Sequence, residues 1–586
     1  MPSLTEAWYK KQFTIGLTFD IYPKIMSLNK KLLILISGLF INIVSPLFAD
    51  INEKQVMPDA RQIVDFVATN QLETPQVKNV ESEFFNVEID SKGGVIRSMR
   101  HLDVENKLKN NVDIVTLDPF GFNIYLTPGS ESIFKTSQYR LTQTQDKNNF
   151  IVRATLAVTA KTSDGGLYPV NIVKTYKFNK HTHYWDFFWE IENKSKKRLY
   201  VPEMYFIALN DIGPYPKNIS SSTTKNFKSF YYVDGSYKSI PIEAVVGEGG
   251  FLSFGKKHQI GDQEIIKGKI DYFGMGSRFM IMTIQPLFPV NALTILINNH
   301  KKKEIHAHLG SLTMEAGQNG KYDFILYTGP KVKKFVELMP EQIFQNDRLK
   351  LLHKDLYNAF DFGITAPIRD VLVSILKILY KIIPNYGIAI ILLVIAIKAV
   401  FFPLNQAQAK SMKKMQELQP KLKEINEKYK KNPQEKQKRT MELYKQEKAN
   451  PIGGCLPMII QIPIIIALIS AFSDSYELWG SPFIAGWIND LSEPDTILTF
   501  KSSLPVIGGF NLNILPIIMI VSQFLQTQFT MVTVDKNQKL MMQVIPVVMV
   551  VMFWDFPSGV VLYWILFNLL SVLQQIYTNK STTQKA

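Results

Sequence analysis

At 586 residues the chain is long enough for several domains, and its single cysteine, Cys455, excludes an intrachain disulfide. Hydrophobic residues at 46% and charged residues at 20% are unremarkable in bulk, but the apolar content is concentrated near the N-terminus and after Tyr386. The formal charge of +15 would suit nucleic-acid binding, yet the cationic clusters flank apolar runs. Membrane topology explains them more simply, so no nucleic-acid partner is expected.

In chain order, Lys30 and Lys31 precede the apolar run Leu32 to Val44 and the segment Ser45-Pro46-Leu47-Phe48-Ala49-Asp50. This reads equally as a cleaved signal peptide or as an uncleaved anchor with a cytoplasmic N-terminus. Met26-Ser-Leu-Asn-Lys-Lys resembles a start, so residues 1–25 are expected to be a mis-assigned extension, with 1–27 ahead of a first helix at 28–48. Residues 49–81 are polar with little periodicity and are expected to be a linker.

From Phe84 the pattern turns to alternation. Phe85-Asn-Val87-Glu-Ile89-Asp leads into a turn at Ser91-Lys-Gly93-Gly94, and Ile151 to Val158, Ile172 to Phe178, Tyr184 to Ile191 and Tyr322 to Tyr327 repeat the theme between glycine-rich turns. These runs predict an all-β sandwich-type domain over 82–352, with Lys331 to Leu352 helical at its end. Within 353–385, Ile368, Val371, Leu372, Ile375, Leu376 and Leu379 share one helical face, while Arg369, Asp370, Ser374, Lys377 and Lys381 lie mostly opposite. That spacing predicts an amphipathic helix lying in a membrane surface.

Residues 386–577 carry the remaining spans. Tyr386 to Leu404 is apolar and long enough to cross a bilayer, but it contains Lys398 and no acidic partner. A lysine within a span costs roughly 2.5–3.5 kcal/mol, so either its stem carries the charge to the interface or it sits in a water-filled polar cavity. Ala407 to Asn450 follows as a charged helical hairpin. Met415, Leu418, Leu422, Ile425 and Tyr429 form its seam, and Asn432-Pro433 breaks it. Further spans are expected at Ile452–Phe472, Asn511–Thr530, Leu540–Trp554 and Val560–Tyr577, with prolines tolerated where neighbouring helices satisfy the freed carbonyls. Thirteen Lys and Arg residues place the hairpin in the cytoplasm, whereas the loop Ser473 to Pro505 has Lys501 alone as a cation and faces outside. The β-domain then lies outside, and the tail 578–586 inside.

No phosphate-binding Gly-x-x-x-x-Gly-Lys-Ser/Thr loop and no Gly-x-Ser-x-Gly elbow occurs, so neither a cofactor nor enzyme catalysis is expected. His181-Thr-His183 could put two imidazoles on one strand face, but no third ligand is near in sequence and no metal site is expected. The polar inventory of the spans is more telling. Gln461, Gln523, Gln526, Gln543, Asn568, Gln574 and Gln575 accompany Lys398. Such amides either hydrogen-bond between helices or line a wet groove.

Asn450-Pro-Ile-Gly-Gly-Cys-Leu-Pro457, Gln461-Ile-Pro463, Lys398-Ala-Val-Phe-Phe-Pro-Leu404 with Gln406, and Phe556-Pro-Ser-Gly-Val-Val-Leu-Tyr-Trp564 together resemble the YidC family of membrane protein insertases in its Gram-negative form. The resemblance implies six transmembrane helices, five of them forming a core with a hydrophilic groove, and a large periplasmic β-supersandwich. It also implies an uncleaved first helix, both termini in the cytoplasm, and the bacterial inner membrane as location. Lys398 stands where the family usually carries arginine, which keeps the charge but loses the planar fork. Gln461 matches a groove position, and Tyr563, Trp564 and Asn568 match the client-contacting last helix, with Trp564 where a second tyrosine is common. The implied activity is ATP-independent insertion, folding and assembly of membrane proteins, alone or with the Sec translocon. Nascent membrane proteins and lipids are the implied partners, with ribosomes and targeting factors meeting the hairpin. A secondary transporter is the alternative, which should show repeat symmetry and a midplane carboxylate. Among the core spans only Asp555 is acidic, near an outer end. A membrane-bound sugar enzyme is a third reading and would need paired carboxylates in a cleft.

Overall fold

The computed structural model describes residues 60–69, 74–102, 112–114, 122–126, 133–207, 212–213, 227–242, 259–297, 303–332, 365–447, 456–500, 510–530, 544 and 548–583. The first helix (28–48), the helix expected at Lys331 to Leu352 beyond Val332, and residues 540–543 and 545–547 of the expected span Leu540–Trp554 lie outside these residues, while 548–553 of that span are helical.

Alternating strands build the β-domain. In the Tyr184–Asn193 strand, Trp185, Phe187, Trp189 and Ile191 point inward and are buried, while Asp186, Phe188 and Glu190 point to the other face. This strand pairs antiparallel with Leu167–Asn179 on one side and Asn319–Pro330 on the other, and the ladder continues outward through Asn149–Thr162 and Met280–Pro286. A smaller sheet of Val77–Glu81, Phe85–Asp90, Val95–His101 and Val112–Asp113 packs into the same core through Val80, Phe85, Val87, Ile89 and Met99. Offset aromatic pairs fill the space between, with Phe206 stacked on Phe324 at 4.4 Å and Phe122 against Phe187 at 4.9 Å. Gly93 in the predicted turn adopts φ +75°, and a Cβ there would lie 2.6 Å from the Lys135 carbonyl oxygen, so the turn requires glycine.

The expected linker 49–81 is corrected in its second half. Arg61–Ala68 is a strand paired with Asn149–Thr162, and Val77–Glu81 pairs with Phe85–Asp90. A β-bulge between Ile63 and Asp65 puts the buried Ile63 and Phe66 three residues apart, so the period-two signal is lost.

His181 and His183 do not share a strand face. Both lie in the bend before the Tyr184–Asn193 strand, with His181 exposed beside Glu83 at 3.4 Å and His183 fully buried and stacked on Phe84 at 4.3 Å. Burial holds the His183 imidazole well below its ordinary range, and the neighbouring His101 adds to the effect. The depressed value means that the unfolded ring takes up a proton below about pH 6.5 while the folded ring resists. Stability is therefore present above that pH and lost as pH falls, by up to about 1.4 kcal/mol per pH unit. Urea unfolding of the intact protein, followed by tryptophan fluorescence at pH 7.5 and 5.5, should show this slope, and His183→Phe should flatten it. An unchanged slope in that variant would assign the dependence to other groups.

Helix α1 (Ala366–Ile382) precedes α2 (Tyr386–Val400), whose N-cap Asn385 accepts from the Ile388 amide at 3.1 Å. The helix expected to reach Leu404 is interrupted at Phe401. Phe401 leaves helical geometry, and α3 (Phe402–Glu417) begins with Pro403 in its first turn, where the missing N–H costs nothing. Lys398 therefore sits in the last turn of α2. Helices α4 (Gln419–Lys428) and α5 (Pro433–Gln446) form the hairpin, with Leu418, Leu422 and Leu443 buried between them and Asn432 capping α5. Helix α6 (Leu456–Asp474), α7 (Leu515–Thr530) and α8 (Ser558–Thr583) complete the helical region. Among the described residues one segment, Ser558–Tyr577, is by itself long and apolar enough to cross a membrane, and Tyr386–Val400 and Gln461–Asp474 are shorter apolar helices.

The apolar surface of α1 is split. Leu372 and Leu376 are buried in the helical core, whereas Val371, Ile378 and Ile382 are more than half exposed. Arg369, expected on the polar side, is buried and donates to Ser475 Oγ at 3.0 Å and to Asp370 Oδ1 at 2.8 Å. A charge is tolerated there because these donors are used.

Candidate client-binding site

The last helix, α8, is the hub of the polar groups within the helical region. Tyr563, Phe567 and Ser571 recur at four-residue spacing and form one stripe. Gln461 on α6 donates from Nε2 to the Tyr563 hydroxyl at 2.9 Å. The Tyr563 ring stacks on Phe567 with centroids 6.0 Å apart. Lys398 Nζ sits 3.4 Å from the centroid of the Phe567 ring and donates to Ser571 Oγ at 2.5 Å. Ser571 Oγ donates onward to the Phe567 carbonyl at 2.7 Å. Three helices are thereby joined by one continuous path: Gln461, Tyr563, Phe567, Lys398, Ser571.

Trp564 and Asn568 belong to a second stripe that faces α7. Gln523 Oε1 accepts from both Trp564 Nε1 and Asn568 Nδ2 at 3.0 Å, and Asn568 also donates to Ser522 Oγ at 3.1 Å. The five residues singled out from sequence are thus brought to one helix but on two adjacent faces. Tyr563 and Asn568 are buried, while Lys398, Gln461 and Trp564 are half-buried. The Lys398 ammonium is turned onto α8. Ser571 and Phe567 were not singled out in the sequence. Their position three and four residues from Asn568 and Tyr563 on the same helix was the available signal.

A segment between α6 and α7 closes the ends of these helices that lie next to the β-domain. Ser558 and Gly559, whose amides have no partner within α8, donate to the carbonyls of Glu493 and Leu491 at 2.8 and 2.9 Å. Asp495 Oδ2 accepts from Ile514 and Leu515 at the start of α7, at 2.9 and 2.8 Å. Asn385 Nδ2 donates to the Phe483 carbonyl, and the Phe483 ring lies where a Cβ on Gly387 would be. A hairpin of Thr496–Phe500 and Phe510–Asn513 follows. Residues 475–495 therefore act as a cap on the helix ends beside the β-domain. Leu478, Ile488 and Leu491 enter the helical core, and Tyr476 and Trp479 enter that of the β-domain. Among the described residues, no three His, Cys, Asp or Glu side chains converge as metal ligands.

With this architecture described, the comparisons with known proteins give the class. The family described as "60Kd inner membrane protein" matches residues 378–585, and that described as "YidC periplasmic domain" matches residues 78–375. Membrane protein insertase YidC of Leptospira interrogans is 39% identical over 491 residues, covering 80% of this chain and 76% of that protein. Its counterpart in Chlorobaculum parvum is 28% identical over 523 residues, covering 87% and 84%. A crystal structure titled as an active YidC insertase aligns with 91% of this chain and 98% of its own at 18% identity, with a TM-score of 0.33. The chain belongs to the YidC family of membrane protein insertases. It combines a periplasmic β-sandwich domain with a C-terminal helical insertase region, and the secondary-transporter reading is not favoured.

Proposed function

We propose that this protein inserts nascent membrane proteins into the bacterial inner membrane through a groove lined by Lys398, Gln461, Tyr563, Trp564 and Asn568. The observation that carries this reading is the polar path from Gln461 to Ser571, held between helices with apolar outer faces. A client segment carrying a carboxylate would displace Ser571 from the Lys398 ammonium and hold its charge there. Its apolar stretch would pass along α6 and α8 into lipid, driven by hydrophobic transfer rather than by ATP.

The orientation follows from charge. The lysine-rich hairpin of α3 to α5 lies in the cytoplasm, and the β-domain and outer cap lie in the periplasm. Six spans are proposed, with 28–48 as an uncleaved anchor and Leu540–Trp554 completing the five-helix core of 386–577. Both termini are then cytoplasmic. Helix α1 would lie at the outer membrane surface, with Val371, Ile378 and Ile382 against lipid. The hairpin would receive clients from ribosomes or targeting factors, and the protein would work alone or beside the Sec translocon.

The test is reconstitution. Liposomes containing only this protein should protect a short single-span client from protease above the level of empty liposomes. Protection equal to that of empty liposomes would overturn autonomous insertion.

A further inference from the structure

Arg278 belongs to the β-domain, in the turn between the Gln263–Gly276 and Met280–Pro286 strands. Yet the hydrogen bonds of its guanidinium go to the insertase region. Nε and Nη2 donate to the Ser473 carbonyl at 3.0 and 2.6 Å, Nη2 also to the Ser492 carbonyl at 2.8 Å, and Nη1 to Glu493 Oε1 at 2.6 Å. The side chain is 6% exposed. Next to it Phe279 stacks on Trp479 at 5.0 Å, and His101 Nε2 lies 3.1 Å from the Tyr476 hydroxyl.

These acceptors are not interchangeable surface groups. Ser473 lies in the last turn of α6, where carbonyls lack helical partners and the helix end carries partial negative charge. Glu493 accepts through its own backbone carbonyl from the Ser558 amide at the start of α8. One arginine therefore joins the outer end of α6 to the outer end of α8, the two helices that share the Gln461–Tyr563 hydrogen bond. A buried ion pair is weak evidence of stability, because an apolar contact of equal volume often does as well. The rigid guanidinium fork instead fixes geometry among several acceptors.

We propose that Arg278 is a positioning residue through which the β-domain pins the outer cap, so that α6 and α8 can part only toward the cytoplasm and lipid. The outer ends stay closed while the Gln461–Tyr563 contact opens for a client. This rests on the orientation and groove proposed above.

The experiment uses the full chain with Cys455→Ser and a single reporter, Ala471→Cys. Ala471 is fully buried one turn from the outer end of α6. A membrane-impermeant maleimide applied to the periplasmic side should label this cysteine slowly. Arg278→Ala should raise the rate at least tenfold, the lower end of the effect expected of one lost charge-assisted hydrogen bond, and Arg278→Lys should fall between. Hydrogen exchange should quicken in 475–495 and 556–562 but not in the Tyr184–Asn193 or Asn319–Pro330 strands. A separate reporter at the exposed Lys238→Cys checks orientation, because it must label from the same side. Labelling at 238 with an unchanged rate at 471 in Arg278→Ala would overturn the clamp, as would exchange that quickens first in the β-domain strands. Absence of labelling at 238 would instead overturn the orientation.

Discussion

Lys398→Glu should lower client insertion at least tenfold, whereas Lys398→Arg should retain most of it. The ammonium is held between the Phe567 ring and Ser571 Oγ, half-buried at the end of α2. At 4 Å and an effective dielectric near 20, a pair of unit charges is worth about 4 kcal/mol. Even if water in the groove halves that attraction, losing it exceeds the roughly 1.4 kcal/mol that corresponds to tenfold. Glutamate adds repulsion of an acidic client, and a carboxylate over the negative face of Phe567 is itself unfavourable. Arginine preserves the charge and the ring contact, though its longer planar fork will not reproduce the single bond to Ser571. Protease protection of a short single-span client in liposomes is the measurement. Equal activity of the two variants would remove the charge from the mechanism.

Gln523→Leu should have the second-largest effect, and it should act on the joint between α7 and α8. The Gln523 side-chain oxygen, Oε1, accepts from both Trp564 and Asn568. Leucine fills similar space but leaves the Trp564 indole N–H without this acceptor. Asn568 keeps its bond to Ser522. Leaving a buried donor unmet costs about 1–3 kcal/mol in general. Hydrogen bonds between membrane helices average nearer 0.6 kcal/mol, because the separated helices find other partners. The smaller figure sets the stability loss of the helical region, so the protein should still fold. Insertion should fall several-fold, since Trp564 loses its fixed orientation. Gln523→Glu keeps an acceptor and should lie closer to the parent. The comparison of the two variants by thermal unfolding in detergent and by insertion decides the point. Equal insertion by Gln523→Leu and the parent would show that the Trp564 orientation is irrelevant to clients.

What the sequence revealed depended on how each element is held. Strands such as Tyr184–Asn193 follow strict alternation because one face packs into the aromatic core, and they were legible residue by residue. Arg61–Ala68 was not, because a bulge breaks its period. Lys398, Gln461, Tyr563, Trp564 and Asn568 stood out as polar groups among apolar ones, together with the family motifs. Their partners did not. Ser571 is an ordinary helix serine until Lys398 is seen above it, and the acceptors of Arg278 include the carbonyls of Ser473 and Ser492, which no side-chain pattern encodes. The outer cap was hidden for the same reason, since backbone groups of Leu491 and Glu493 hold α8. Arg369 was misplaced because helical spacing assigns a face but not the neighbour, and here the neighbour is Ser475.

The cap also changes how a third protein would meet this one. Tyr476 and Trp479 are embedded in the β-domain while Leu478 and Leu491 are embedded among the helices, so the two regions are not joined by a loose tether. A partner touching both would find its second contact already at a set distance and heading. It would lose less freedom on docking than with a swinging domain, and the second contact would form at the high effective concentration of a preorganised pair.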